Sequence, residues 1–265
     1  MTVPFLKIDR DGPIVTATLD SPGTRNSIST IGQIDEVRGF CAEVGRDRSV
    51  RAVILTGSGP AFCAGGDVKS MRDRSGLFAG SPLELRDRYR DGIQQIPLAL
   101  CELEVPTIAA INGPAIGAGL DLACMCDVRI AASTARFASS FVKLGLVPGD
   151  GGAWLLPRIV GLPKATLMML TGDPIDAAEA LSSGLVSQVV PPEQLPAAAE
   201  ALAQRIAANP GHALRLAKRL LWEAPNMKLQ PFLELSAAYQ ALAHHAPEHH
   251  EAVAGFLEKR PARFD

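Results

Sequence analysis

The chain has 265 residues, 47% of them apolar and 20% charged, and a formal net charge of −2. That length and composition suit one large globular domain, or a domain with an appended subdomain. The near-neutral balance offers neither a basic field for nucleic acid nor a polybasic patch for a membrane.

The opening MTVPFLKIDRDG carries acids within its first dozen residues and no long apolar core, so it reads as neither a signal nor a transit peptide. Residues 14–20 (IVTATLD) alternate like a strand. Ile31, Ile34, Val37, Phe40, Cys41 and Val44 then recur at helical spacing, and 51–57 (RAVILTG) is a β-rich run ending in glycine. Residues 74–88 (RSGLFAGSPLELRDR) are the least periodic internal segment and read as a mobile loop that helps shape a pocket, together with residues 141–144. VPTIAAING (105–113) is a buried strand followed by a turn, and DVRIAA (127–132) is another strand. From residue 151 the texture becomes helical, interrupted by one more strand, LVSQVV (185–190). Beyond Glu193 everything reads as amphipathic helix broken at Pro210, Pro225 and Pro247.

Strands alternating with helices imply crossover units and a mostly parallel, buried sheet, an α/β architecture. The expected division is a core over residues 1–195 and a helical region over 196–265. The second is too long to be a mere cap, so it covers a site or builds a subunit interface. No run of 18 or more apolar residues occurs, so no membrane-spanning helix is expected. Five cysteines at irregular spacing argue against a disulfide framework and fit a reducing, cytoplasmic setting. Cys124 and Cys126 have no second Cys/His pair nearby to complete a zinc site, so no metal is expected. All five histidines lie at or after residue 212. An imidazole base would therefore have to come from the C-terminal tail. The cluster HHAPEHH (244–250) has metal-ligand residue types, but Pro247 interrupts the spacing and a solvated helix junction is the plainer reading.

Two glycine-rich stretches each follow a predicted strand: TGSGPAFCAGGD (56–67) and INGPAIGAGLDLACMCD (111–127). Neither completes G-x-G-x-x-G, because Leu122 and Phe62 stand where the third glycine is needed. No phosphate-binding GxxxxGK[ST] occurs either. Glycines at a strand-to-helix junction leave backbone N–H groups unpaired, with the helix dipole adding positive potential. Two such junctions side by side suit an oxyanion hole, in which each donor is worth on the order of 3–4 kcal/mol of transition-state stabilisation. Each stretch also holds an aspartate. Asp67 reads as a turn or cap residue.

FCAGGDVKSM (62–71), AAINGPAIGAGLDLACMCDVRIA (109–131) and LGLVPGDGGAWLLPRIVG (144–161) resemble the three signature stretches of the crotonase superfamily, the enoyl-CoA hydratase/isomerase family. LTGDPIDAAEALSSGLVSQVVP (170–191) and FLEKRPARF (256–264) are similar to it as well. The resemblance covers nearly the whole chain. It implies a spiral of ββα units, a helical C-terminal region used in trimerisation, and a homotrimer or dimer of trimers. It also implies an acyl-CoA substrate, with coenzyme A part of that substrate rather than a cofactor.

Carried over, the oxyanion-hole amides belong to Gly66 and Ala118. The coenzyme A site falls near Arg25 and the backbone of Phe62, Cys63 and Ala64. Phe256 and Lys259 match tail residues that reach the coenzyme, in family members from a neighbouring subunit. Family hydratases use two glutamates. The first falls on Asp121, about 1.5 Å shorter in reach, and the second on Phe141, which moves no proton. The nearest acid further along is Asp150. The resemblance thus implies an enoyl-CoA hydratase working with Asp121 and Asp150 around a water. An isomerase with a single aspartate shuttling a proton, and an acyl-CoA-binding protein without turnover, are the alternatives.

Overall fold

The computed structural model describes residues 4–264. Strand β1 (Leu6–Asp11) pairs antiparallel with β2 (Ile14–Leu19) and buries only Leu6. Its polar sequence LKIDRD suits an edge strand, and for the same reason it lacks a strand signature in the sequence. Helix α1 (Ile31–Arg46) starts from a reciprocal Thr30–Gln33 capping box. It buries Ile34, Val37, Phe40, Cys41 and Val44, while Ile31 stays exposed.

Strands β3 (Ala52–Gly57) and β4 (Thr107–Ile111) extend the sheet in parallel. The chain then crosses to a second sheet at β5 (Ala115–Ile116) and returns for β6 (Val128–Ala132). It crosses again for β7 (Arg136–Ala138) and β8 (Ile175–Asp176), and closes the first sheet with β9 (Gln188–Val190). The large sheet runs β1-β2-β3-β4-β6-β9 and the small one β5-β7-β8. The circuits that start at β4 and β6 each place strands in both sheets and then a helix, which is the spiral of ββα units. A single parallel bridge, Cys63 to Ala115, brings the first circuit against the second.

Alternation along the strands separates two cores. Val53, Leu55, Ala109 and Ile111 face the larger one, inside the spiral. Ala52, Ile54, Ile108 and Ala110 face the other, which α9 (Leu195–Ala207) covers with Leu195, Ala199, Ala203 and Ala207. Helix α10 (Gly211–Glu223) anchors itself with two buried cations, Arg215 and Lys218, whose donors reach backbone carbonyls of the core. By contrast α11 (Leu229–His244) buries no residue, and α12 (Pro247–Glu258) buries only Gly255. The three prolines stand at the junctions between these helices. Among the described residues no helix is long and apolar enough to cross a membrane, and all five cysteines are free.

Residues 74–88 correct the loop expectation. Helix α2 (Val68–Arg72) precedes them, and α3 (Pro82–Arg88) occupies half of the segment behind a Ser81–Glu84 capping box. The guanidinium of Arg88 donates to the carbonyls of Gly76 and Ala79, tying the turn down. The helix escapes the sequence because α3 buries none of its residues, so no apolar stripe marks it.

Candidate active site

The glycine-rich stretch after β3 is held open by two asparagines. Asn26, fully buried and in the left-handed region (φ 58°), donates to the carbonyls of Ser58 (2.9 Å), Ala61 (2.9 Å) and Phe62 (3.2 Å). Asn112 accepts from the Gly57 N–H and donates to the Gly59 and Ala61 carbonyls. These bonds replace the regular ladder, so the backbone can turn outward at Gly65 and Gly66. Nothing in the periodicity marks Asn26. The only sequence signal for it is a polar residue three positions after the Pro22–Gly23 pair.

The second junction is built by close approach. Gly117 takes φ 55°, ψ −121° at the start of α5 (Ala118–Met125) and offers no side-chain cap. A Cβ on Gly119 would stand 2.0 Å from the Cys63 carbonyl oxygen, so only glycine lets α5 sit against the first stretch. A Cβ on Gly65 would stand 3.4 Å from the Ala118 nitrogen. The N–H groups of Gly66 and Ala118 find no acceptor among the described residues, and both residues line one cavity of about 160 Å3. The expected pair of amides is thereby brought together.

The carboxylates part company. Asp150 lines the same cavity, is 5% exposed, and its carboxylate accepts no hydrogen bond among the described residues. The cap of the following helix, α6 (Gly152–Val160), is Gly151 with no side-chain bond, so Asp150 is not a helix cap. Burial alone pushes its carboxyl up to about 6. Asp121 does not line the cavity. It is 1% exposed in the first turn of α5 and accepts from the Gly152 N–H at 3.2 Å. Burial first, and then the Asp150 charge, hold it well above the ordinary carboxylate range, against the opposing Gly152 amide. Burial thus raises both carboxyls, and the Asp150 charge adds to the rise at Asp121. Of the two aspartates expected to face one water, Asp150 lines the cavity, whereas Asp121 lies outside its lining and accepts from the Gly152 N–H.

Phe141, in the turn after β7, lines the cavity and faces Gly117. Leu77, Phe78 and Arg88 also line it, as expected of the 74–88 segment, together with Tyr89, which no sequence pattern marks. Phe62 and Cys63, whose backbone is expected near the coenzyme, lie outside the cavity lining. Both side chains are fully buried, and their backbone groups bond to Pro114, Asn26 and Ile116 within the fold. Ala64 does line the cavity, and its N–H donates to the carbonyl of the exposed Arg25, whose backbone is left-handed (φ 54°). Phe256 and Lys259 lie on and just after α12, exposed and outside the lining of this cavity. Asp67 caps α2, accepting from the Lys69 N–H and the Ser70 hydroxyl. In the histidine cluster His244 and His249 meet at 3.2 Å. Among the described residues no three His, Cys, Asp or Glu gather as a metal site.

A sequence profile described as Enoyl-CoA hydratase/isomerase matches residues 9–265. The chain is 37% identical over 268 residues to "Probable enoyl-CoA hydratase echA8" of Mycobacterium tuberculosis, covering all of this chain and 99% of that protein. It is 37% identical over 255 residues to the 1,2-epoxyphenylacetyl-CoA isomerase of Escherichia coli, covering 95% and 94%. Among solved structures, an enoyl-CoA hydratase from Bacillus anthracis superposes with a TM-score of 0.91 at 31% identity, covering 98% of each chain.

Proposed function

The chain belongs to the enoyl-CoA hydratase/isomerase family, and on that premise we propose that it hydrates a 2-enoyl-CoA thioester with Asp150 as its acid/base group. One observation carries this reading: a buried carboxylate without a partner shares a small cavity with two unpaired backbone amides. The thioester oxygen docks on the Gly66 and Ala118 N–H groups. Asp150 takes a proton from water as the water oxygen bonds to the β-carbon. The alkene electron pair moves onto the thioester oxygen, and the enolate is held by the two amides. When the enolate collapses, the α-carbon takes the proton back from Asp150 and the carboxylate is restored. A carboxyl titrating at about 6 is ionised at neutral pH yet a competent proton donor. Coenzyme A enters as part of the substrate, and the steps call for no separate cofactor.

A second reading, double-bond isomerisation, is favoured by the single cavity carboxylate. Asp150 would take a proton from the α-carbon of a 3-enoyl thioester and return it to the γ-carbon of the dienolate. Its E. coli relative is named as an isomerase, which supports keeping this reading. The purified protein is mixed with a short trans-2-enoyl-CoA and loss of the conjugated absorbance is followed, then with a 3-enoyl-CoA and its appearance is followed. Loss in the first supports hydration, and appearance in the second alone supports isomerisation. Silence in both while coenzyme A thioesters still bind overturns the catalytic reading.

We also propose a homotrimer or a dimer of trimers. Helices α11 and α12 leave Leu229, Leu233, Leu242, Phe256 and Leu257 exposed, an apolar surface that a partner copy would bury. In that assembly Phe256 and Lys259 would reach the coenzyme of a neighbouring subunit, while Arg25 meets the phosphates of its own. Sedimentation of a monomer at micromolar concentration counts against this assembly. Five free cysteines support a reducing, cytoplasmic setting.

A further inference from the structure

The acyl end of the cavity is walled by rings. Aromatic residues make up only 5% of the chain, yet Phe78, Tyr89 and Phe141 all line this space. Two of them flank the amides that fix the thioester oxygen. A Cβ on Gly66 would stand 2.7 Å from Met71 Cε and 3.5 Å from Phe78 Cζ, and one on Gly117 would stand 3.7 Å from Phe141 Cζ. A carbon chain leaving the carbonyl therefore passes at once between the Phe78 side and the Phe141 side. The third ring is seated by a missing side chain. A Cβ on Gly149 would lie 2.8 Å from Tyr89 Cε1, so glycine beside Asp150 is what admits the tyrosine. Tyr89 opens a π-helical turn, Tyr89–Ile93, that follows α3. Arg88, one residue earlier, fixes the turn that bears Phe78 by donating to the Gly76 and Ala79 carbonyls. These walls are tied down.

The cavity measures about 160 Å3 and holds the two amides and Asp150 as well as the three rings, so the room left for the acyl group is small. A long fatty chain would fill it with its first carbons and leave the rest in water, where added methylenes gain nothing. A flat ring gains the full apolar burial and ring-to-ring contacts as well.

We propose that the acyl group received here is compact and planar, a six-membered ring on a short unsaturated arm, with Phe78, Phe141 and Tyr89 setting that preference. The proposal rests on the reading that the pocket takes a coenzyme A thioester, and goes further by naming the acyl class.

Binding of unreactive saturated thioesters tests it without requiring turnover. Calorimetric titrations of the purified protein with butanoyl-CoA, 3-phenylpropanoyl-CoA and dodecanoyl-CoA should find the phenylpropanoyl thioester at least tenfold tighter than butanoyl-CoA. Dodecanoyl-CoA should bind no tighter than phenylpropanoyl-CoA. Phe78→Leu keeps an apolar wall without the flat ring, and should shrink the tenfold preference to about threefold. Dodecanoyl-CoA binding tenfold tighter than the phenylpropanoyl thioester, or no preference for the ring over butanoyl-CoA, overturns the acyl assignment while leaving the thioester reading intact. Failure of all three to bind overturns both.

Discussion

Helix α5 has an aspartate at its start and another just past its end, in opposite circumstances. Asp127 is saturated. It accepts from the Thr107 N–H (2.7 Å) and hydroxyl (2.9 Å), the Trp222 indole (3.2 Å) and the Lys218 ammonium (2.8 Å). Lys218 in turn donates to the Val105 carbonyl at 2.9 Å. Asp121 has one amide, and Asp150 opposite it has none. Buried charge is stabilised only when its bonds are complete. The network at the end of the helix therefore ties α10 to the sheet, while the pair at its start is left under-bonded. An under-bonded carboxyl in a cavity is what proton transfer requires.

The sharpest way to break this contrast is at the cavity. Asp150→Asn keeps shape and burial but removes the proton carrier. It should lower kcat by 10²–10⁴-fold, the range expected of one acid/base group, without loss of thermal stability. Turnover within threefold of wild type would show that Asp150 is a spectator. Ala118→Pro comes next. Proline is tolerated at the first helical position because that N–H is unpaired there anyway. The substitution deletes one oxyanion donor and should cost about 10²–10³ in kcat, with circular dichroism unchanged.

Lys218→Met tests the other end. It leaves the Asp127 carboxylate and the Val105 carbonyl without their cation, at a cost of about 3 kcal/mol by the measured effect of breaking buried pairs. Urea unfolding should register that loss. The kcat of the folded fraction should stay within twofold of wild type, because nothing in this network lines the cavity. Loss of turnover equal to that of Asp150→Asn would erase the distinction between the two ends.

This division is only partly legible in the sequence. The β-rich runs of β2, β3, β4 and β6 and the helical spacing of α1 announce themselves, because each buries a continuous apolar face. The paired glycine-rich junctions are legible too, since glycine where helix or strand should prosper marks a close approach, seen at Gly119 against Cys63. What escapes is whatever depends on placement across the fold. Asp121 and Asp150 look alike as letters, and only the fold gives Asp121 the Gly152 amide and leaves Asp150 lining the cavity. Tyr89 and Asn26 likewise act through neighbours distant in sequence, Gly149 and Ala61 among them.

A further effect comes from titrating the under-bonded pair. In the unfolded chain Asp150 titrates near its ordinary 3.8, and in the folded protein at about 6. Between those values the folded state binds more protons than the unfolded one, so stability falls as pH rises. The contribution is fully present below pH 4 and gone above pH 6, a swing of about 3 kcal/mol at 1.36 kcal/mol per pH unit. Asp121, raised by burial and by the Asp150 charge, acts in the same direction. Asp150→Asn removes the first part. The variant and the wild type should therefore unfold at equal urea concentrations at pH 4, with the variant more resistant by up to about 3 kcal/mol at pH 7. Asp127→Asn should instead lose stability, because it disrupts a carboxylate that accepts from four donors. A wild-type protein more stable than Asp150→Asn at pH 7 would mean that the cavity carboxylate has a partner after all, and the contrast between the two ends of α5 would collapse.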